Sequence, residues 1–125
     1  MKKPVYILSI DTSCDETSAA ITKDLIILSN VISTQIELHK VWGGVVPDIA
    51  KRAHQERIDL VIEKAFNNAT RQAGRKLSWE DIDAVAVTFG PGLAIALEVG
   101  INKAKELAQK YDKPLIAVNH LEGHL

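Results

Sequence analysis

Two histidines four residues apart, in His120-Leu121-Glu122-Gly123-His124, are the residues whose type and spacing say most about chemistry. If this segment is helical, the two imidazoles lie one turn apart on one face, the spacing that lets both bind a single metal ion. Glu122 falls about 200° away around such a helix and points away from the pair. That differs from the zinc-peptidase pattern, where Glu directly follows the first His and serves as base. The same histidines would also serve as solvated or capping side chains, and two ligands alone leave a metal site incomplete. A second constellation, Asp11-Thr12-Ser13-Cys14-Asp15-Glu16-Thr17, gathers hydroxyls, turn amides and three carboxylates. It could cradle a phosphate or hold a divalent cation, and it reads equally as a hairpin turn whose Asp, Ser and Thr bond their own backbone. Cys14 as a nucleophile lacks a histidine close in sequence, and a small buried thiol is the commoner role.

Gly90-Pro91-Gly92 precedes a helical pattern. Its glycines would let the backbone approach a ligand, and the helix start would offer unpaired N–H groups to an anion. The alternative is a tight strand-to-helix turn, with Gly100 allowing close helix packing. Neither a Walker loop nor the Gly-x-Gly-x-x-Gly spacing is present. His39 and His54 read as surface or structural residues. The stretch Lys51 to Lys76, with seven Lys/Arg against three acidic residues, suits phosphates, a partner protein or a solvated helix face.

These residues need elements to position them. Val5 to Ile10 reads as a buried strand with Asp11 at its carboxyl end; Ser18 to Thr22 and part of Leu25 to Thr34 follow as strands joined by the Lys23-Asp24 turn. Connections this short favour antiparallel neighbours. After the polar segment around His39 and Gly43-Gly44, Pro47 can open a helix. Ile49, Ala53, Val61, Ile62, Ala65, Phe66 and Ala69 approximate its 3.6-residue period, and His54 to Ile58 leaves room for a break. Ser78, Glu80 and Asp81 resemble a short helical cap, and Asp83 to Thr88 is a strand. A second helix runs from Leu93 to about Tyr111, and Leu115 to Val118 is a final strand ending at Asn119-His120. The order β-β-β-α-β-α-β implies an α/β fold, a mixed sheet with helices and with ligands at the carboxyl ends of the strands.

A chain of 125 residues with 46% hydrophobic and 25% charged residues is one domain or one module of a larger protein, large enough to bury a core without a metal or disulfide. One cysteine excludes a disulfide scaffold and favours a reducing compartment. A formal charge of −1, from 15 Lys+Arg against 16 Asp+Glu, excludes a wholly basic nucleic-acid module. The apolar run after Met1-Lys2-Lys3-Pro4 is too short for a signal peptide, and no run is long enough to span a membrane. The cytoplasm is the default location.

Taken together, Ser9 to Ser18, Trp42-Gly43-Gly44-Val45-Val46-Pro47, Ala53-His54, Asp81 to Thr88, Gly90-Pro91-Gly92-Leu93 and Val118 to His124 resemble one family over essentially the whole chain. This is the universal tRNA threonylcarbamoyladenosine (t6A) transferase family, formerly labelled glycoprotease or O-sialoglycoprotein endopeptidase. The resemblance implies a lobe of the actin, sugar-kinase and heat-shock-ATPase type, ribonuclease H-like, with residues 1–125 as a single N-terminal lobe and a C-terminal lobe absent. It implies His120 and His124 as two ligands of a divalent metal, iron or zinc in different members, the third being an aspartate of the second lobe. It also matches Asp15 and Glu16 to acidic residues near the reaction centre, the candidate catalytic pair. Asp11, Thr12, Ser13, Gly90 and Gly92 are the candidate ligand-binding residues.

The reaction implied is transfer of threonylcarbamoyl from its adenylate to N6 of adenosine 37 in tRNA, by a parent protein of which this chain carries half the cleft. Bacterial members work with a shorter homologous subunit and a small ATPase; archaeal and eukaryotic ones sit in a multiprotein complex. Ile95 stands where the family usually has a glycine, and Glu98 where it is commonly apolar. A metal-dependent endopeptidase is the enzymatic alternative. The other is a non-catalytic interaction module or truncated paralogue, a homodimer through Ala50, Ala53, Val61 and Ala65 of the first long helix. The isolated chain is expected to bind metal weakly or not at all and to be inactive, because it has two imidazoles without a third ligand and ends one residue after His124.

Overall fold

The computed structural model describes residues 3–13, 16–34, 47–91 and 94–119. Five strands form one mixed sheet: β1 (Tyr6–Asp11), β2 (Glu16–Lys23), β3 (Ile26–Thr34), β4 (Ala84–Gly90) and β5 (Leu115–Asn119). Helix α1 (Pro47–Ala73) connects β3 to β4 through a short 3-10 turn (Trp79–Asp81), and α2 (Ala94–Lys110) connects β4 to β5. The strand order is β3-β2-β1-β4-β5. The two short connections give antiparallel pairs, β1 with β2 and β2 with β3, while β4 and β5 each arrive by a helical crossover and lie parallel to β1 and β4. The order of elements expected from the sequence is the order found.

Both helices pack on the same sheet face and against each other, α1 over β2 and β3 and α2 mainly over β4. Alternation along the strands sends Leu8, Ile10, Ala19, Ile21, Val85 and Val87 into the core beneath them. The possible break in α1 at His54 to Ile58 does not occur; the helix runs unbroken for 27 residues. His54 itself continues the buried stripe: His54, Ile58, Val61, Ile62, Ala65 and Ala69 follow at intervals of three, four and one, all turned to the sheet. This corrects the dimer expectation at Val61 and Ala65, which are 2% and 0% exposed within a single chain's core and not available to a second copy, while the side chains of Ala50 and Ala53 lie outside what the structure describes. Among the described residues, no helix is long and apolar enough to cross a membrane.

Chain reversals use the residues that tolerate them. Asp24 takes φ 52, where its backbone N–H donates to Val5 O at 2.8 Å and its carboxylate accepts the Val5 N–H at 2.9 Å. Gly74, at φ 74, follows the last turn of α1. Phe66, Trp79 and Tyr111 pack in series, Phe66 tilted on Trp79 and Trp79 stacked parallel on Tyr111 with centroids 4.3 Å apart, which ties α1 and the end of α2 to the 3-10 turn. Asp81 accepts the Ser78 N–H at 2.9 Å and the Arg75 guanidinium at 3.1 Å.

The Ser78 bond holds the Asp81 carboxyl below the usual carboxylate range, with burial opposing and Arg75 adding to the effect. A depressed folded-state value makes this contribution present above the unfolded value, about 4, and lost as pH falls through the folded one. Asp81→Asn is therefore expected to lower the urea midpoint at pH 7 and to converge on the wild type in acid. A midpoint difference that stays constant from pH 7 to pH 2 would count against this.

Candidate site at the carboxyl ends of the strands

The parallel strands β1, β4 and β5 end together, at Asp11, Gly90 and Asn119, with Gly90 opposite Asn119 in the register. β2 runs the other way and begins at that same end, since Asp11 pairs with Ser18 and Glu16 precedes it by two residues. Thus Asp11, Thr12, Ser13, Glu16 and Gly90 gather at one edge of the sheet. The remaining candidates, Asp15, Gly92, His120 and His124, lie outside the described residues, as do Cys14, His39 and Gly43-Gly44. In sequence, His120 directly follows Asn119, the last residue of β5.

The β1 end is tightly organised. Asp11 Oδ1 accepts both the backbone N–H of Ser13, at 2.7 Å, and its hydroxyl, at 2.5 Å, an Asx-type turn that folds the chain back after the strand. Thr12 is fully buried, and its hydroxyl turns toward α2. It donates to the Ala96 carbonyl at 2.7 Å and accepts the Gly100 N–H at 3.1 Å. The expected cradling hydroxyl is thus placed on the helix backbone. The close approach needs a glycine, because a Cβ on Gly100 would stand 2.7 Å from Thr12 Oγ1.

At the other end of the same connection, Thr17 Oγ1 and His54 Nδ1 share a hydrogen bond of 2.5 Å, both residues fully buried. His54 is structural, as the sequence suggested; its partner Thr17 carried no separate sequence signal. Glu16 is exposed at the head of β2. A Cβ on Gly90 would meet nothing within 4 Å among the described residues.

A cavity of about 230 Å³ lies next to Asp11, bordered by Ser9, Ser18, Ala86, Thr88 and Val118. These side chains belong to the sheet face opposite the helices, so the cavity reaches the strand ends from that side. A larger space of about 520 Å³ runs between α1 and α2, lined among others by Lys51, Gln55 and Lys103. Lys103 is engaged there, at 3.0 Å from Asp59 and 2.9 Å from Glu106. The basic stretch of α1 is also partly engaged: Arg57 donates to Ser33, Arg71 to Asn68, and Arg75 to Asp81 and Tyr6. Ile95 is half-buried in the first turn of α2, and Glu98 faces solvent. Among the described residues, no three His, Cys, Asp or Glu side chains group as a metal site.

Comparison with known proteins gives this geometry a setting. The chain is 54% identical to a tRNA N6-adenosine threonylcarbamoyltransferase of Bacillus subtilis over 125 residues, 99% of this chain and 34% of that protein. It is 51% identical to one of Clostridium kluyveri over 126 residues and 54% identical to one of Staphylococcus carnosus, each match covering all of this chain and 35% of the relative. It spans about a third of the length of the curated relatives it matches. In structure it resembles YeaZ from Pseudomonas aeruginosa, with a TM-score of 0.66 and 20% identity over 92% of this chain and 44% of that one, a likeness of fold. The family model described as TsaD, tRNA N6-adenosine threonylcarbamoyltransferase, matches residues 26–125. With that match over most of its length and relatives above half identity over nearly all of it, the chain belongs to the TsaD family.

Proposed function

We propose that this chain forms the first lobe of an enzyme that transfers threonylcarbamoyl from its adenylate to N6 of adenosine 37 in tRNA. The observation that carries the reading is the convergence of Asp11, Ser13, Glu16 and Gly90 on one sheet edge, in a chain of this family. In the transfer, the N6 nitrogen bonds to the carbamoyl carbon, the bond from that carbon to the phosphate oxygen breaks, and AMP leaves with the electron pair. The N6 proton passes to a base. Glu16, exposed at the head of β2, and its sequence neighbour Asp15 are the carboxylates this reading assigns to take that proton or to orient the amine. The space that the described residues leave beside Gly90 suits the approach of the adenylate phosphate.

His120 and His124 are the residues that would hold a divalent metal, iron or zinc. Two neutral imidazoles suit either ion, and a third protein ligand is still needed to complete a site. When bound, the metal would supply Lewis acidity toward the carbamoyl or phosphoryl oxygen. The partners under this reading are tRNA, threonylcarbamoyl-adenylate, and, in a bacterium, a shorter homologous subunit and a small ATPase. A lone cysteine agrees with a cytoplasmic location.

The test is a side-by-side assay of the full-length protein with its partner subunits. Threonylcarbamoyl-adenylate and a tRNA reading codons that begin with A are expected to yield modified adenosine, while a peptide substrate stays intact. Peptide cleavage without tRNA modification would reverse the assignment in favour of an endopeptidase.

A further inference from the structure

The connection from β1 to β2 carries the acidic candidates, and each of its ends is held by a buried threonine that reaches a different helix. On the β1 side Thr12 places its hydroxyl between two backbone groups of α2, the Ala96 carbonyl at 2.7 Å and the Gly100 N–H at 3.1 Å. On the β2 side Thr17 shares its 2.5 Å hydrogen bond with His54 of α1. Thr12, Thr17 and His54 are each 0% exposed. A hydroxyl in such surroundings has few alternative partners, so each bond fixes position as well as satisfying a polar atom. Helix α2 follows Gly90-Pro91-Gly92, and α1 follows Gly43-Gly44, so each helix held in this way begins beside another glycine-bearing segment.

We propose that Thr12, Thr17 and His54 are positioning residues that clamp the β1–β2 connection between the two helices and so set Ser13 and Glu16 relative to the start of α2. The consequence for catalysis rests on the transferase reading above; the clamp itself does not. Removing the Thr12 hydroxyl need not damage the helix, because Ala96 O and Gly100 N are four residues apart and can bond to each other as an ordinary helical pair. What changes is the register between loop and helix. Misplacement of reacting groups by about 1 Å can cost up to about a hundredfold in rate.

The experiment uses Thr12→Val, Thr17→Val and His54→Ala, with Thr12→Ser, Thr17→Ser and His54→Asn as the variants that keep a hydroxyl or a nitrogen at the Nδ1 position. In the full-length protein with its partners, the first set is expected to lower kcat by about tenfold or more, with KM for tRNA within about twofold, and the second set to restore kcat. Amide hydrogen exchange in the 125-residue chain reads the clamp without any activity: Ser13 and Glu16 are expected to exchange about tenfold faster in the first set, with β4 protection unchanged. Unchanged exchange at Ser13 and Glu16 overturns the clamp. Faster exchange with wild-type kcat, or a lost kcat that the conservative variants do not restore, overturns its role in positioning. A wild-type protein that modifies no tRNA would defeat the transferase reading, and the exchange data would still decide the clamp.

Discussion

Exchanging His120 and His124 together for alanine in the full-length protein is expected to reduce tRNA modification by more than about a hundredfold, since removing even the groups that orient metal ligands costs about 10- to 100-fold. Two imidazoles lost from one site leave too few ligands for a divalent ion at ordinary concentrations. The fold is expected to survive, because the core of the described residues closes among positions from Tyr6 to Ala108. Metal content, circular dichroism and single-turnover transfer on one preparation would check all three statements. Full transfer by the double variant would remove the pair from the mechanism, whereas a collapsed fold would make the segment structural.

Gly100→Ala should destabilise the chain strongly for the addition of a single methyl. The added Cβ would lie 2.7 Å from Thr12 Oγ1, 3.4 Å from its Cγ2 and 3.6 Å from Ile10 Cγ2. Alanine gains about 1 kcal/mol over glycine within a helix. Against this stands overpacking, about 1–3 kcal/mol. Turning the threonine away also breaks two buried hydrogen bonds, each worth about 1 kcal/mol. The unfavourable terms win by roughly 3 kcal/mol, which for a domain of this size lowers the melting temperature by about 9–18 °C. Pairing it with Thr12→Ala relieves the contact, and the double variant is expected to be more stable than the sum of the two single changes allows. A Gly100→Ala protein that melts with the wild type would show that the helix and strand separate more easily than their packing indicates.

The elements were legible because their patterns are local. Short apolar runs mark the strands, the Pro47 start and the apolar stripe mark α1, and short against long connections separate antiparallel from parallel neighbours. Gly100 could be read as a close-packing position, though the sequence did not say what packs there. The Thr12 and Thr17 bonds were hidden because each joins residues distant in sequence, 84 apart for Thr12 and Ala96 and 37 apart for Thr17 and His54. Such pairings depend on how helices lie over the sheet, and no local period encodes that. The apolar set of α1 failed as a dimer signal for a related reason: Val61 and Ala65 have the same pattern whether they cover a sheet or a second helix. The convergence of Asp11, Glu16 and Gly90 was foreseeable, because parallel strands deliver their carboxyl ends to one edge.

The pairing of β1 with β4 has a consequence for how the polypeptide folds as it is made. Tyr6 N–H donates to the Asp83 carboxylate and Tyr6 O accepts the Asp83 N–H, both at 2.8 Å across 77 residues of sequence. The first three strands can close into a meander as soon as they leave the ribosome, and α1 can dock on β2 and β3 soon after. Strand β1 will by then be central to the finished sheet yet still bare along one side, waiting for a partner that is synthesised only after the long helix. That interval exposes an unpaired strand edge of mostly apolar residues, Tyr6 to Ile10, to any neighbouring nascent chain. Slow translation between Ala73 and Ala84 would lengthen the exposure, so the yield of folded protein should depend on the speed of synthesis there more than in the segments before it.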